Sequence, residues 1–397
     1  MKILVINAGS SSLKAQLIDS HTGKVYAKCS CERIGVGNSF IKFESDKGKI
    51  KQDYEMSEHG QAIKGLISYL LSEEYGCISS LSEIDAIGHR MVHGGEKYIK
   101  PCLVTEQDIK KLEELVPLAP LHNPAHILGM RACMEAMPDK KNVVVFDTGF
   151  HATIPKKAYM YAIPYDLYEK NKIRRYGAHG SSHRYVSEVL SEMLGGLQGK
   201  KVISCHLGNG SSITAIKDGK SIDTSMGYTP LAGVVMGTRS GDVDPSVLQA
   251  ICSIKKCSID DCLTILNKQS GLLGINGESS DMRDVDANLD KPLYKLSFDM
   301  LCYSIKKYIG AYAAVMNGVD HIIFTGGIGE NDEMVRREVM KDMDYLGAVL
   351  DEEKSNTIPR GTIENISAPN SRVQIWRIPT DEELVIARDT ERLVTKK

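Results

Sequence analysis

Two turns of small polar residues in this chain have the composition of phosphate-binding loops. The first turn, Asn7 to Lys14 (NAGSSSLK), follows an apolar strand, and the second, His206 to Ser212 (HLGNGSS), follows another in the second half. Small residues allow backbone N–H groups to crowd around an anion without interference from Cβ atoms. One such turn would be an ordinary hairpin, whereas two favour a duplicated fold that holds a polyphosphate between its halves.

The side chains of the first turn extend this interpretation. Asn7, Ser10 and Ser12 carry neutral hydrogen-bonding groups, and Lys14 carries a positive charge. All four supplement the backbone donors in the phosphate-binding hypothesis.

Neither a P-loop nor a GxGxxG fingerprint is present. Gly219-Lys220-Ser221 resembles the end of a P-loop, but Thr214 stands where that motif requires its first glycine. The Gly208/Gly210 pair would need a third glycine at Ile213. The hypothesis therefore rests on the paired turns.

Two arginines lie in glycine-rich segments, Arg90 in IGHRMVHGG and Arg239 in MGTRSGDVDP. A single arginine in a loop is usually solvated or salt-bridged. Two of them beside phosphate turns indicate clamps for carboxylate and phosphoryl oxygens, because the planar guanidinium offers paired donors and keeps its charge.

Histidines and acids supply the remaining candidates. His179 and His183 in YGAHGSSH are four residues apart, but nothing around them has the context of a metal pair. We favour His179 as a donor to a phosphoryl oxygen, with a satisfied core histidine as the alternative.

His122 lies in PLHNP, Asp147 ends an apolar run and Glu382 precedes a helical segment. Isolated acids are more often caps or surface charges.

The segment GGIGEN, Gly326 to Asn331, follows the apolar run IIF and precedes a helical pattern. It has two interpretations. One is a helix-entry turn, and the other is a flat surface without side chains against which a nucleotide lies.

Composition limits the class of protein. At 397 residues the chain is long enough for roughly two domains. Its net charge of −2 gives no electrostatic case for nucleic acid or an anionic membrane, and no apolar stretch approaches a spanning helix. Its ten cysteines include no Cys-x-x-Cys pair, which favours reduced buried thiols in a cytoplasmic protein and a metal, if any, held by oxygen.

The elements that must position these residues follow from periodicity. Strands are predicted at 2–19 and 24–54 as hairpins, and at 84–88, 143–146 and 321–324, the last ending in a glycine-rich turn. Helices are predicted over 58–74, 105–115 (with Thr105 as N-cap), 123–137, 182–195, 245–254, 292–317, 333–346 and 382–395.

Polar residues follow the predicted strands at their carboxyl ends, where ligands collect in open α/β sheets. These residues are Asn7, His89-Arg90, Asp147, His206 and Gly326-Gly327. We therefore expect the five segments to face one cleft.

Taken together, the motifs resemble the acetate kinase family of the acetate/sugar kinase–Hsp70–actin superfamily. The resemblance runs from end to end, in family order and at family spacing. Its motifs are NAGSSSLK, GHRMVHGG, PLHNP, FDTGFH, YGAHGSSH, HLGNGSS, MGTRSGDVDP, SSDMRD, FTGGIGEN and PTDEE.

The resemblance implies an α/β fold of two duplicated ribonuclease-H-like (actin/Hsp70-type) domains with a cleft between them. Residues 1–148 would form the N-terminal lobe on the carboxylate and phosphoryl side. Residues 149–382 would form the nucleotide-binding C-terminal lobe, and 383–397 a helix that packs back on the N-terminal lobe.

The implied activity is reversible, direct in-line phosphoryl transfer between ATP and acetate, giving acetyl phosphate and ADP. Arg90 would hold the substrate carboxylate, and Arg239 and His179 would stabilise charge on the transferring phosphoryl group. Asp147 would be the essential acid. Asn7 and Glu382 would help to place Mg²⁺, with Mn²⁺ as a substitute. Since a carboxylate is already a nucleophile at pH 7, positioning and charge neutralisation suffice.

The resemblance also implies two sets of binding residues and a homodimer, with a carboxylate and a nucleotide as small-molecule partners. The ATP set is Ser10, Ser12, Lys14, His206, Leu207, Gly208, Asn209, Gly210, Asp281, Met282, Arg283, Gly327, Ile328, Gly329, Glu330 and Asn331. The carboxylate set is Arg90, Val92, Leu121, His122, Ala178 and Pro230.

The chain departs from the family pattern at two places. It has Ala178-His179-Gly180-Ser181 where the family usually has Phe-His-Gly-Thr, and Gly149-Phe150-His151-Ala152 where the family has Ala-Phe-His-Gln. The small side chain of Ala178 predicts room for a longer acyl chain, so that propionate is used nearly as well as acetate, unless a neighbour such as Met91 or Tyr228 fills the space.

Two alternative functions remain open. A propionate or butyrate kinase of the same family is one. The other is a nucleotide-driven chaperone or filament ATPase, for which the 15 residues after Glu382 leave no appended domain. Diphosphate-dependent members also exist, but the retained GGIGEN favours ATP.

Overall fold

A computed structural model describes residues 1–120 and 122–396. It divides the chain into two compact units. The first unit is Met1–Gly149 with Asp381–Lys397, and the second is Phe150–Thr380. Leu121, which the resemblance assigns to the carboxylate set, lies outside the described residues. The roles assigned to the two lobes stay predictions.

Apolar strands form one sheet in each unit. Their bounds are β1 Lys2–Ala8, β2 Ser12–Asp19, β3 Val25–Glu32, β4 Phe40–Ser45, β5 Gly48–Asp53, β6 Ala86–Met91, β7 Cys102–Val104, β8 Lys141–Phe146, β9 Lys201–Leu207, β10 Ser211–Lys217, β11 Lys220–Thr224, β12 His321–Thr325, β13 Glu364–Asn365 and β14 Gln374–Arg377.

The two sheets share a five-stranded core topology, which β4, β5 and β7 extend in the first unit and β13 extends in the second. The first has the order β5-β4-β3-β2-β1-β6-β8-β7 and the second β11-β10-β9-β12-β14-β13. In each, a three-stranded antiparallel meander is followed by two parallel strands, β6 and β8 in the first unit and β12 and β14 in the second. The duplication predicted from the paired turns is confirmed, and the Gly219-Lys220 segment is part of a hairpin between β10 and β11.

Helices cover the sheets. Their bounds are α1 His59–Leu70, α2 Glu106–Glu113, α3 Asn123–Ala136, α4 Lys156–Tyr159, α5 Tyr165–Asn171, α6 Gly180–Leu194, α7 Pro245–Lys255, α8 Ile259–Lys268, α9 Gly271–Asn276, α10 Met282–Asp286, α11 Pro292–Met316, α12 Gly326–Asn331, α13 Glu333–Met340, α14 Glu352–Thr357 and α15 Glu382–Thr395. No described helix is both long and apolar enough to span a membrane.

Local sequence explains several helix starts. Helix α8 begins with a capping box, in which the Asp261 N–H donates to Ser258 Oγ and the Ser258 N–H donates to Asp261 Oδ2, both at 3.1 Å. Helix α2 begins after Thr105, as predicted, and the Thr105 N–H donates to Asp108 Oδ2 at 3.1 Å.

Several predictions about local structure were wrong. The helices predicted at 58–74 and 333–346 are shorter and end at Leu70 and Met340. The strand predicted at 84–88 is β6, which continues to Met91 because its parallel ladder with β8 extends to the Met91–Phe146 pair. Arg90 therefore lies in a strand rather than a loop. The predicted turn GGIGEN is helix α12, which Gly326 enters with φ +76°. A Cβ at Gly326 would lie 2.7 Å from the Leu207 carbonyl oxygen, so only glycine fits.

The last helix closes the sheet of the first unit. Helix α15 packs on β1, β2, β6 and β8, with Leu384, Val385, Ile386 and Ala387 buried. The contact is closest at Gly88 in β6, where an added Cβ would lie 2.5 Å from Thr390 Oγ1 and 2.7 Å from Ile386 Cγ2. The absence of a side chain at Gly88 therefore sets the height of α15 above the sheet.

We expect Gly88→Ala to lower the free energy of unfolding by about 1–3 kcal/mol, because the new methyl group overpacks the contact with α15. Gly60→Ala is a matched control in helix α1, where the added Cβ would come no closer than 3.4 Å to Glu58 Oε1. It should change stability by less than about 1 kcal/mol, in the stabilising direction. Urea unfolding monitored by circular dichroism measures both. Equal stabilities of the two variants would contradict the packing argument.

Candidate active site

The first unit brings three predicted site residues to the carboxyl ends of its parallel strands. Asn7 is near the end of β1, Arg90 is near the end of β6, and Asp147 follows β8 directly. Arg90 Nη2 donates to Asp147 Oδ2 at 3.0 Å, and Arg90 Nη1 lies 3.5 Å from Asn7 Oδ1. The Asp147 N–H donates to the Met91 carbonyl at 2.9 Å, which extends the β6–β8 ladder and fixes the acid.

Carboxylates surround the guanidinium of Arg90. Burial opposes the charge of Arg90, but Asp147, Glu382 and Glu383 outweigh it, and the net effect raises the pKa of Arg90. Glu382 is the first residue of α15. Burial, followed by repulsion from Asp147, raises the pKa of Glu382 to about 7, although Arg90 opposes the shift. The cluster of Arg90 with Asp147, Glu382 and Glu383, which we call the centre, therefore carries more negative than positive charge when its acids are ionised.

This excess of carboxylate oxygen suits a hard divalent cation. Asn7 and Glu382 both lie beside Arg90, and Mg²⁺ commonly takes one or two protein oxygens and completes its shell with phosphate and water. Within residues 1–120 and 122–396, no group of three or more His, Cys, Asp and Glu is arranged to hold a metal ion by itself. The residues present therefore fit Mg²⁺ as an ion shared with a phosphate.

His126 lies beside this centre, and motif analysis missed it. It is 3% exposed, and neither ring nitrogen has a hydrogen-bond partner in the described part of the chain. Burial, followed by the charges of Arg90 and His122, lowers the pKa of His126 to about 3. The imidazole is therefore neutral near pH 7. A histidine on the otherwise apolar face of α3 was the only signal in the sequence.

The predicted acyl-chain residues are distributed over both units. Val92 is buried just after β6, and His122 precedes α3 in the first unit. Ala178 and Pro230 belong to the second unit, where Ala178 packs in a buried cluster with Met226 and Met236. Two flexible methionines therefore occupy space beside the small side chain of Ala178.

In the second unit, His179 and Arg239 approach the same glycine. A Cβ at Gly210 would lie 3.3 Å from Arg239 Nη1 and 3.4 Å from His179 Nε2. Arg239 Nη1 also donates to the Pro230 carbonyl at 3.4 Å, and burial lowers the pKa of Arg239. The turn that joins β9 and β10 is thus flanked by one cation and one imidazole.

His179 is held rigidly at the start of α6. Its backbone is left-handed, with φ 56°, and its Nδ1 lies 2.9 Å from Ser212 Oγ. Its ring lies 4.2 Å from that of His206, centroid to centroid. His206 Nδ1 is in turn 2.7 Å from Ser182 Oγ. The strained backbone and the contacts around the ring leave His179 one orientation.

Half of the predicted ATP set lines one cavity of about 510 Å³ in the second unit, which we call the nucleotide-sized cavity. Its lining includes Gly208, Asn209, Asp281, Met282, Arg283, Gly327, Ile328 and Asn331 of that set, and also Ser280, Asp286, Asp332 and Arg360, which are outside it. The turn after β9 therefore has two neighbours, the cavity at Gly208 and Asn209, and the His179–Arg239 pair at Gly210.

Other members of the predicted ATP set lie elsewhere. Ser10, Ser12 and Lys14 are in the hairpin of the first unit, and Lys14 lines a separate cavity of about 470 Å³ there. In the second unit, His206, Leu207, Gly210, Gly329 and Glu330 do not line the nucleotide-sized cavity in its described part. Glu330 Oε1 accepts hydrogen bonds from the N–H groups of Gly326 and Thr380, at 2.9 and 3.0 Å, so it fixes backbone.

Two carboxyl groups share one wall of the nucleotide-sized cavity. Burial, followed by the charge of Asp332, raises the pKa of Asp286 to about 8. Asp332 also caps α13 by accepting the Val335 N–H at 3.0 Å. Two buried acids in contact cannot both ionise without strong repulsion, so the pair retains one proton near pH 7.

The fold and the site together define a duplicated ribonuclease-H-like α/β protein. The model of the Acetokinase family matches residues 2–388. Acetate kinase of Caldicellulosiruptor bescii is 50% identical over 399 residues, which cover 100% of both chains. The chain belongs to the Acetokinase family.

Solved structures agree with this assignment. The crystal structure of Porphyromonas gingivalis acetate kinase matches with a TM-score of 0.95 and 45% identity, over 99% of this chain and 100% of that chain. A propionate kinase from Francisella tularensis matches with a TM-score of 0.92 and 42% identity, over 99% of both. The family relationship predicted from the ordered motifs is confirmed.

The proton retained by Asp286 and Asp332 predicts a loss of stability at higher pH. Because folding raises the pKa of Asp286 from 3.8 to about 8, folding favours the protonated acid, and this contribution is lost as pH rises through 8. One proton accounts for at most about 1.4 kcal/mol per pH unit. We expect Asp286→Asn, whose amide still donates to Asp332, to flatten the decline in the free energy of unfolding between pH 5 and pH 8.

Asp284→Asn is the control, since Asp284 is exposed on the same helix and accepts the Ser279 hydroxyl. Urea unfolding at both pH values, carried out on both variants and the parent, measures the slopes. An unchanged slope in Asp286→Asn would show that the pair does not hold the proton.

Proposed function

We propose that this protein catalyses reversible phosphoryl transfer between ATP and acetate, giving acetyl phosphate and ADP. The observation that carries this proposal is the turn at Gly208–Gly210. The turn lines the nucleotide-sized cavity on one side, and His179 and Arg239 flank it on the other. A nucleotide in that cavity can direct its terminal phosphate to two groups that stabilise charge on phosphoryl oxygens.

Arg90 is the proposed anchor for the carboxylate substrate. Its Nε is buried and has no hydrogen-bond partner in the described chain, while Nη2 is held by Asp147. A guanidinium fixed in this way binds an anion with little further ordering. A carboxylate needs no general base, so Asp147 acts by orienting Arg90 and compensating its charge. The same donors serve acetyl phosphate in the reverse direction.

Asn7 and Glu382 are the proposed protein contacts for Mg²⁺, with Mn²⁺ as a substitute. When bound, the ion neutralises charge on the phosphate oxygens of the nucleotide. The carboxylate oxygens beside Arg90 support this role, since Asp147, Glu382 and Glu383 all lie close enough to act on its charge. The predicted roles of Ser10, Ser12 and Lys14 in phosphate binding remain part of this proposal.

A homodimer in the cytoplasm is the proposed assembly and location. Helix α11 exposes Leu293, Leu296, Met300 and Tyr303 at helical spacing, which is an apolar stripe of the kind that subunit contacts cover. All ten cysteines are free, in agreement with a reducing compartment. The family resemblance supports both.

Propionate is the second candidate substrate, because Ala178 is small and a propionate kinase is among the structural matches. The packing around Ala178 favours acetate. Met226 and Met236 form a buried cluster with Ala178, which supports acetate as the smaller substrate.

The two arginines should have different kinetic roles. We expect Arg239→Ala to lower kcat by about 10²–10³-fold, because one preorganised charge donor contributes roughly 3–4 kcal/mol to the transition state. Arg90→Lys, which keeps a charge beside the buried Asp147, should mainly raise KM for acetate and leave KM for ATP nearly unchanged. Hydroxamate trapping of the acyl phosphate measures both constants, and thermal unfolding checks that each variant is folded. A raised KM for ATP alone in both variants would refute the assignments.

Acyl-chain selectivity should depend on the methionines beside Ala178. We expect the parent to prefer acetate and Met226→Ala to raise the propionate-to-acetate ratio of kcat/KM by up to about fourfold, the gain from burying one methylene. Met316→Ala is the control, since Met316 is buried in a different core cluster of the same unit. A parent that used propionate as well as acetate, with a ratio unchanged in Met226→Ala, would show that the space beside Ala178 is open.

A further inference from the structure

A line of buried hydrogen bonds leads to His179 from the interior of the second unit. Ser204 Oγ lies 2.9 Å from His183 Nδ1, and His183 Nε2 lies 2.8 Å from Ser212 Oγ. The same Ser212 Oγ lies 2.9 Å from His179 Nδ1. Ser204, His183 and Ser212 are each 0% exposed. We call these four residues the relay.

With both histidines neutral, the relay has three consistent arrangements, because the hydroxyl of Ser212 has one proton to donate and two lone pairs that accept. A neutral imidazole donates from one nitrogen and accepts at the other. In the first arrangement Ser212 donates to His179 Nδ1 and accepts from His183 Nε2–H, and His183 Nδ1 accepts from Ser204. His179 then carries its proton on Nε2. In the other two, Ser212 donates to His183 or accepts from both rings, and the proton of His179 is on Nδ1.

Only the first arrangement makes Nε2 of His179 a hydrogen-bond donor. His179 Nε2 is the ring atom near Gly210, on the side that Arg239 Nη1 also approaches. An Nε2–H there can donate to a phosphoryl oxygen, whereas a bare Nε2 lone pair would repel that oxygen. In a neutral imidazole, the tautomer therefore decides whether His179 can donate on this side.

We propose that His183 and Ser212 are positioning residues that hold His179 in the Nε2–H tautomer. The inference deepens the proposed function, on which the donor role of His179 rests. The hydrogen bond at one ring nitrogen of a histidine decides which nitrogen carries the proton. His206 assists by packing its ring against that of His179, with the two ring planes tilted by 32°, so the relay fixes the proton while this contact restricts rotation of the ring.

Strand geometry explains why the relay is possible. Ser204 lies in β9 and Ser212 in the antiparallel neighbour β10, and both hydroxyls reach the first turn of α6, where His179 and His183 are four residues apart on one face. The four-residue spacing therefore places both histidines in one hydrogen-bonded line, and not as a metal pair or as an isolated core histidine. One histidine faces the turn at Gly210, and the other connects it to the sheet.

The test is Ser212→Ala, with Thr214→Val as the matched control. Thr214 is on the same face of β10, is also 0% exposed, and uses its hydroxyl with Thr224 at 2.9 Å instead. We expect Ser212→Ala to lower kcat for acyl phosphate formation about tenfold, short of the ~10²–10³-fold loss from removing a donor outright. KM for ATP and for acetate should change less than about threefold, because the tautomer matters most when charge develops. Thr214→Val should retain the parent kcat.

A spectroscopic readout separates positioning from packing. In protein labelled with ¹⁵N-histidine, with the His179 signals assigned by His179→Gln, the parent should show His179 protonated at Nε2. Ser212→Ala should shift these signals towards a mixture of tautomers, and Ser212→Thr, which restores the hydroxyl, should recover both the signals and kcat. Ser204→Ala, at the far end of the relay, provides a second variant with the same but smaller effects.

The outcomes distinguish the two proposals. If His179→Gln leaves kcat unchanged, the donor role of His179 in the proposed function fails, and the relay proposal fails with it. If His179→Gln is strongly impaired but Ser212→Ala and Ser204→Ala match Thr214→Val in kcat and in ¹⁵N spectrum, the relay alone is refuted.

Discussion

The buried carboxylate of Asp147 constrains the first unit more than any other group. Its side chain is 0% exposed, and an unpaired charge at such a site costs several kcal/mol, so Arg90 must remain at its 3.0 Å separation. Adjacent parallel strands satisfy this requirement, because the β6–β8 ladder pairs Arg90 with Val145 and Asp147 follows two residues further along, on the same side of the sheet. Glu382 then adds a further acid, whose pKa is raised by burial and by repulsion from Asp147.

The second unit has the same core strand order, but different charged groups lie at its sheet edge. The equivalent hairpin ends in the turn at Gly208–Gly210, and Arg239 and His179 flank that turn, whereas the first unit presents acids near Arg90. A Cβ at Gly210 would crowd both side chains, at 3.3 and 3.4 Å. The duplicated units therefore differ in the groups that they present, with acids around an arginine in the first and an arginine beside a histidine in the second.

Sequence patterns predicted the repeated parts of this structure well and the contacts between them poorly. The two hairpins and the placement of Arg90 and Asp147 at neighbouring strand ends followed from strand periodicity, and the family followed from the ordered motifs. The end of β6 was misplaced because its length is set by pairing with β8, which lies more than fifty residues away. The Asp286–Asp332 pair and the unpartnered His126 depend on packing between helices. For the same reason, the spacing of His179 and His183 revealed a pair but not its connection through Ser212.

The path of the chain explains why acids lie where it passes from one unit to the other. In the first unit the chain leaves its last parallel strand at Asp147 and continues into α6, which packs on β9 of the second unit. It returns after β14 through Thr380, whose N–H is held by Glu330, and α15 then packs on β6 of the first unit. Each passage follows a parallel strand next to the edge of its sheet, β8 in the first unit and β14 in the second. Asp147 directly follows β8 and Glu382 begins α15, so the return of the chain to the first unit brings a second acid close to the first.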